Sequence, residues 1–316
     1  MKAKKGGVME ASKTKARVII NPSSGGGTYD PDQLREVLSG FELDWVETEG
    51  PEDAKEAAGD LHEGLLIVIG GDGTVNDVVN GLGNVDFPEG VTLALLPAGT
   101  GNDLAATLAV PENPDAAEDV IRQDRVRILD IAHVRSEKVG ERYFINVATG
   151  GLGAEISYAN DEETKSKWGK LSYLRASLQV ARGFDVREVK MYLDGEEHRV
   201  RAVNMAIGNC RYAGGGWLAA PKANPEDGLL DVVVVEDVGL KEILTLAPTA
   251  LAKSDYLNRE GVFFERAKEI RIETSPGLQF TVDGEVIGDD PAEFTVIPQA
   301  LKVIVGPEYT PDPREE

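Results

Sequence analysis

The stretch VIGGDGTVNDVVNGL, residues 68–82, decides how the chain is read. Residues 65–69 lead into it as a short apolar run of strand length. After it, Val75, Val78, Val79 and Leu82 recur at helical spacing. Gly70, Gly71 and Gly73 therefore sit at a strand-to-helix turn. There the backbone can approach a ligand closely, and unpaired N–H groups at the helix start point at whatever lies before it. A plain βα turn with an aspartate near the helix start carries the same local signature. The functional reading is a phosphate cradle.

Working outward, two more strands end in glycine-rich loops. Residues 17–20 lead into NPSSGGG, after which Asp30 caps a helix with Pro31 at its first position and Leu34, Val37 and Leu38 as its buried stripe. Residues 92–96 lead into PAGTGND and a helix over 104–108. Strands alternating with helices predict a parallel sheet, and loops of this kind gather at its carboxyl edge, where ligands bind. From about residue 142 the pattern changes. VKMYLDGEEHRVRAV and LQFTVDGEVI alternate apolar and polar residues around Asp-Gly, a strong hairpin signal. LLDVVVVE, EIRIET and AEFTVIP add strands, and a helical region over about 165–182 carries Leu171, Leu174, Leu178 and Val180. The expected architecture is an α/β domain with a parallel sheet over residues 1–130 and an antiparallel β-sandwich or open barrel over 131–306. The boundary is expected near residues 127–130, and residues 307–316 read as a frayed tail.

Composition narrows the function. The 316 residues carry a formal charge of −22, which argues against a nucleic-acid partner and gives no bulk attraction to an anionic membrane. A salt-adapted source would account for so acidic a surface. The lone Cys210 excludes an internal disulfide and reads as a small buried apolar residue. His62, His133 and His198 show no metal-ligand spacing. No apolar run reaches membrane-spanning length, and MKAKKGG lacks the apolar core of a signal peptide. The expected setting is soluble and cytoplasmic.

Taken together, NPSSGGG, GGDGTVNDVVNGL and LLPAGTGNDLA resemble the diacylglycerol kinase catalytic domain family. That family includes bacterial diacylglycerol and undecaprenol kinases as well as sphingosine and ceramide kinases. FINVATGGLGAEI, MAIGNCRYAGGGWLAAPKANPEDGLLDVVVV and FTVDGEVI match the bacterial branch in order, so the resemblance covers nearly the whole chain. GGDGT alone also occurs in NAD kinases and phosphofructokinases; its combination with GTGND is the specific signal. No GxxxxGK[ST] or GxGxxG nucleotide loop competes with it. The nearest, Gly151-Leu-Gly153, has Ile156 in the last glycine's place.

The resemblance implies ATP and Mg²⁺, with Asn21, Thr48, Gly70, Gly71, Asp72, Gly73, Thr74, Val75, Asn76 and Thr100 lining the nucleotide site. From local sequence alone, Asn21 reads equally well as a cap ahead of Pro22. Asp72 has two open roles, holding Mg²⁺ beside the phosphates or accepting the substrate proton. Glu285 in VDGE takes the general-base role by resemblance; spacing alone does not separate it from the similar LDGEE at 193–197. The resemblance further implies a structural Mg²⁺ held by Asp227 and by the carbonyls of Asn224 and Leu229, with Asp130 linking it to the active site through water. Without the resemblance, Asp227 reads as part of an Asp-Gly turn and Asp130 as a domain-junction cap.

The expected activity is transfer of the ATP γ-phosphate to the hydroxyl of a diacylglycerol-like lipid, met by peripheral contact at the membrane surface. KSKWGK at 165–170, with Trp168 as anchor, is the candidate contact, or else an ordinary solvated helix start. An NAD-kinase-like activity on a soluble nucleotide and a non-catalytic nucleotide or lipid sensor are the alternatives. A homodimer stays open.

Overall fold

A computed structural model describes residues 13–26, 30–137, 140–151, 186–237, 254–275, 277–288 and 291–312. The first part runs β1 (Lys15–Ile20), α1 (Pro31–Val37), β2 (Glu42–Glu47), α2 (Pro51–Gly59), β3 (Glu63–Gly70), α3 (Asp72–Gly83), β4 (Gly90–Pro97), α4 (Asp103–Thr107) and α5 (Pro114–Gln123). Its four strands are parallel in the order β2-β1-β3-β4. Asp30 caps α1 by accepting from the Asp32 N–H, with Pro31 at the first position and Leu34 and Leu38 buried. The strand LLIVI is buried from Leu66 to Ile69, and Val75, Val78, Val79 and Leu82 of α3 pack beneath it in one core. β2, α2 and α5 were not legible in the pattern of the sequence.

The second part contains β5 (Val126–Ser136), β6 (Gly140–Phe144), β7 (Val147–Gly151), β8 (Arg187–Leu193), β9 (Glu196–Gly208), β10 (Tyr212–Ala213), β11 (Trp217–Leu218), β12 (Leu230–Glu236), β13 (Val262–Ala267), β14 (Glu269–Ser275), β15 (Phe280–Val282), β16 (Glu285–Gly288) and β17 (Ala292–Ile304). Both Asp-Gly hairpins form. β8 and β9 turn at Asp194 (φ 49°) and Gly195 (φ 88°), and β15 and β16 at Asp283 (φ 44°) and Gly284 (φ 89°). Two consecutive left-handed residues match the right-handed twist of the flanking strands. The apolar run of β12 is buried on both faces. Leu230, Val232 and Val234 join the core under β8, β9 and β14, while Val233 packs with Val147, Ala206 and Tyr256 on the other side.

The expected boundary at 127–130 falls inside β5, which runs unbroken and pairs antiparallel with β17. Leu129 and Ile131 of β5 belong to the first core, Ala132 and Val134 to the second. β17 does the same from the other end of the chain. Its first half pairs with β14, the strand shifts register between Ile297 and Leu301, and Lys302 and Val303 then pair in parallel with Thr92 and Leu93 of β4. One continuous mixed sheet results.

Residues 307–312 are not the frayed tail expected of them. Tyr309 is buried in the first core, its hydroxyl donates to Glu226 at 2.8 Å, and Arg211 donates to the carbonyls of Thr310 and Pro311. The expected helix over 165–182 and the 165–170 contact with Trp168 lie outside the described residues. Among the described residues no helix is long and apolar enough to cross a membrane.

Candidate active site

The three glycine-rich loops meet at the carboxyl edge of the parallel strands. The Asn21 N–H donates to Ile69 O at 3.2 Å, and the Ala98 N–H to Gly70 O at 2.9 Å. Their closeness requires glycine. A Cβ on Gly70 would lie 2.6 Å from the Thr74 side chain, and one on Gly71 would lie 2.9 Å from the Gly99 Cα. Gly73 differs, because its Cβ position meets nothing within 4 Å and faces open space. Gly71 is the N-cap of α3 and offers no side-chain cap, so the first-turn N–H groups lack that partner. Gly70, Gly71, Asp72, Gly73 and the exposed Thr100 thus share one edge.

Other expected nucleotide residues have different surroundings. Asn21 Oδ1 accepts from the Ser23 N–H at 3.0 Å and the Ser23 hydroxyl at 2.7 Å, which is the capping geometry. The Thr48 hydroxyl donates to Ile20 O at 3.2 Å. Thr74 is buried, and the Val75 side chain belongs to the core, leaving that residue only its backbone for a ligand. Asn76 is 4% exposed and turned towards the second half of the chain.

Two aspartates, Asp103 and Asp283, link the loops to that half, and Asp72 joins them through Asp103. Asp72 accepts from the Asp103 and Leu104 N–H groups at 3.1 and 3.2 Å. Asp103 in turn accepts from Gly215 at 2.9 Å and Gly216 at 2.7 Å, across the junction between the two halves. Asp283 accepts from Asn76 Nδ2 at 2.9 Å and from the N–H groups of Ile145, Asn146 and Val147, each at 3.2 Å. Burial raises the Asp72 carboxyl above its ordinary range. Burial and then the Asp72 charge push Asp103 up to about 7, and burial pushes Asp283 up to about 6. Carboxylates gathered in this way are poised to gain from a cation.

α3 carries the alignment between the halves. Asn80, one turn beyond Asn76, donates to Tyr143 O at 2.9 Å and accepts from the Tyr143 N–H at 3.0 Å, pairing with β6 as a neighbouring strand would. Gly83 leaves room for the Tyr143 ring, since a Cβ there would lie 2.3 Å from it. The β15–β16 turn is thereby held over α3, and Glu285 emerges beside it. Glu285 is ion-paired with Arg142 of β6. Its look-alike is placed elsewhere: Glu196 is exposed, and the Asp194 of its turn accepts from Lys268 and Glu269.

Asn224, Asp227 and Leu229 lie on one turn ahead of β12. Asp227 Oδ1 accepts from the Leu229 N–H at 3.0 Å, and its Oδ2 lies 3.8 Å from Arg266. Asn224 O accepts from the Asp227 N–H at 3.4 Å, a long bond that leaves the carbonyl underused. One carboxylate with two nearby carbonyls is an oxygen-only set that fits a Mg²⁺ keeping several waters. Among the described residues no group of three His, Cys, Asp or Glu side chains forms a metal cluster. Asp130 is fully buried and ties this turn to β17, accepting from Gly228 at 2.7 Å and Gln299 at 2.8 Å.

Sequence reading missed Asp103, Asp283, Asn80 and Arg142. Asp103 and Asp283 lie inside the quoted motifs GTGND and VDGE; nothing local marks Arg142.

Residues 15–134 match the family model described as the diacylglycerol kinase catalytic domain, and residues 146–305 the one described as the YegS C-terminal NAD kinase beta sandwich-like domain. Over 302 residues the chain is 31% identical to a diacylglycerol kinase of Bacillus subtilis (strain 168), covering 92% of this chain and 96% of the relative. The chain belongs to the diacylglycerol kinase family. A second family member, a diacylglycerol kinase of Staphylococcus aureus (strain JH9), is 32% identical over 299 residues, covering 92% of this chain and 91% of that one. A crystal structure of a diacylglycerol kinase from Bacillus anthracis str. Sterne superposes with a TM-score of 0.72 at 25% identity, covering 95% of this chain and 100% of the other. The family's fold, an α/β domain followed by a β-rich domain, is the fold of this chain.

Proposed function

We propose that the protein is an ATP-dependent kinase that phosphorylates the hydroxyl of a diacylglycerol-like lipid. The observation that carries this reading is the meeting, on the single helix α3, of the glycine loops at its start and the Glu285 hairpin along its side. Phosphoryl transfer needs held phosphates and an aligned nucleophile. Backbone N–H groups of residues 70–74, with Thr100 beside them, hold the phosphates. Glu285 takes the proton of the lipid hydroxyl as that oxygen bonds to the γ-phosphorus and the bond to ADP breaks. Asp72, with Asp103 behind it, holds a Mg²⁺ bound with ATP, and that ion supplies charge neutralisation for the phosphates. The turn at 224–229 holds a second, structural Mg²⁺. Contact with the membrane is peripheral.

The test is a radiolabelled-ATP assay over dioleoylglycerol, undecaprenol, sphingosine and total lipid extract, with mass identification of the product. Labelled phosphatidate is the expected result. Folded protein that binds ATP and labels no lipid overturns the reading, and labelling of NAD in a parallel arm replaces it with the soluble-nucleotide activity.

A further inference from the structure

Arg142 lies on a strand whose position is fixed from both sides. Asn80 of α3 holds the adjacent Tyr143 backbone, and the Tyr143 ring packs between Phe87 and His133 at centroid distances of 5.1 Å. From this rigid strand the guanidinium Nη1 donates to Glu285 Oε2. Beside Glu285 lies Asp77 of α3, which also feels Lys55 and Glu52 of α2 and Arg142 of β6. Asp77 is half-buried, and burial followed by the charge of Glu285 pushes it up to about 6. Two carboxylates, Asp77 and Glu285, thus oppose each other, and Arg142 pairs with one of them.

We infer that Arg142 is a positioning residue, which fixes the Glu285 carboxylate in one orientation, leaving Oε1 for the incoming hydroxyl. The last clause rests on the lipid-kinase reading; the charge arrangement does not. The pair is partly exposed, with side chains 32% and 42% accessible, so its contribution to fold stability is small. Its effect belongs in the orientation of Glu285. A guanidinium suits this role because it stays charged at every working pH and presents its donors in a fixed plane.

The experiment is carboxyl-carbon NMR of the full chain labelled at glutamate, at one fixed pH, with the Glu285 signal assigned by its loss in Glu285→Gln. It requires neither ATP nor lipid. The wild type should give one sharp Glu285 signal, which in Arg142→Gln moves and broadens as the carboxylate samples other rotamers. Arg142→Lys should restore it only in part, since an ammonium lacks the fixed plane of donors. In the kinase assay, Arg142→Gln should lose kcat by up to about 100-fold, the cost of a misplaced reacting group, with KM for ATP unchanged. A Glu285 signal unchanged in position and width in Arg142→Gln overturns the inference. A tenfold loss of ATP affinity with an unchanged signal assigns Arg142 to phosphate binding instead. If the signal changes as expected while the wild type labels no lipid, the positioning stands and the kinase reading falls.

Discussion

Replacing Asn80 by alanine tests whether α3 sets the register between the two halves of the molecule. The side chain makes two bonds to the backbone of one residue of β6, donating to Tyr143 O at 2.9 Å and accepting from the Tyr143 N–H at 3.0 Å. Truncation removes both. The carbonyl retains a weaker bond from Asn76 at 3.4 Å, while the N–H loses its side-chain partner. A hydrogen bond contributes a net of about 0.5–1.5 kcal/mol, and leaving a buried donor unpaired costs about 1–3 kcal/mol. The expected loss is therefore about 2–4 kcal/mol, nearer the lower figure because Asn80 is half-buried and water can reach the gap. Against the roughly 5–15 kcal/mol that holds an ordinary domain folded, this is a large share. Urea unfolding followed by circular dichroism reads the total, and amide hydrogen exchange at Tyr143 reads the local opening. Turnover should fall with ATP affinity unchanged, because the Glu285 hairpin loosens while the glycine loops do not. Asn80→Asp keeps the acceptor but replaces the donor with a second acceptor, so its loss should at least equal that of alanine. A loss below about 0.5 kcal/mol, the level of an ordinary surface substitution, with Tyr143 exchange unchanged would refute the alignment role of α3.

Glu285→Gln is expected to retain stability and ATP binding while turnover falls about 10²–10⁴-fold, whereas Glu196→Gln in the look-alike hairpin should be silent; equal kinetic losses in both would deny Glu285 its role as base. Gly73→Ala fills open space at the helix start, so stability should hold or rise by about 0.5–1 kcal/mol while ATP affinity drops. Calorimetry showing unchanged affinity would remove residues 70–76 from the nucleotide site. Asp227→Ala should abolish any Mg²⁺-dependent rise in melting temperature, and a wild-type melting temperature in Mg²⁺ would end the structural-metal assignment. Asp77 and Asp283, pushed up to about 6, and Asp103, pushed up to about 7, bind protons in the folded state that the unfolded chain has already released. Their stabilising contribution is complete near pH 4 and is lost as pH rises through 6 to 7. The metal-free melting temperature should therefore be higher at pH 6 than at pH 8, and a flat or rising profile across that window would contradict the burial of these carboxylates.

What could be read from the sequence was what local chemistry dictates. The Asp-Gly pairs demand left-handed backbone, and both formed hairpins. LLIVIGGDG demands a buried strand ending in an open turn, and α3 began where its valines recur. α2 escaped notice because its buried face is only Ala54 and Ala58, too slight for a periodic signal. β2 escaped because an edge strand with a half-exposed alternation resembles any polar stretch. The roles of Asn76, Asp103 and Asp283 were hidden for a different reason. Each is decided by partners more than 65 residues away, such as Gly215 for Asp103 and Asn76 for Asp283. Asp194 and Asp283 show the limit plainly. Both are hairpin aspartates that accept from neighbouring backbone, and only topology places one beside the glycine loops.

A ribosome delivers the four parallel strands long before it reaches the end of β17. Roughly 200 residues separate β4 from its second neighbour, about 10–40 s of synthesis at about 5–20 residues per second. Throughout that interval β4 presents an unpaired edge, the kind of template that recruits other chains. The strip of core closed by Leu301, Val303 and Ile304 stays wet for as long. A fragment cut after residue 134 would keep that edge open permanently and should precipitate, although it contains every glycine loop. Exchanging second halves between relatives would likewise transfer the strand that completes the first, so the two units inherit their solubility jointly.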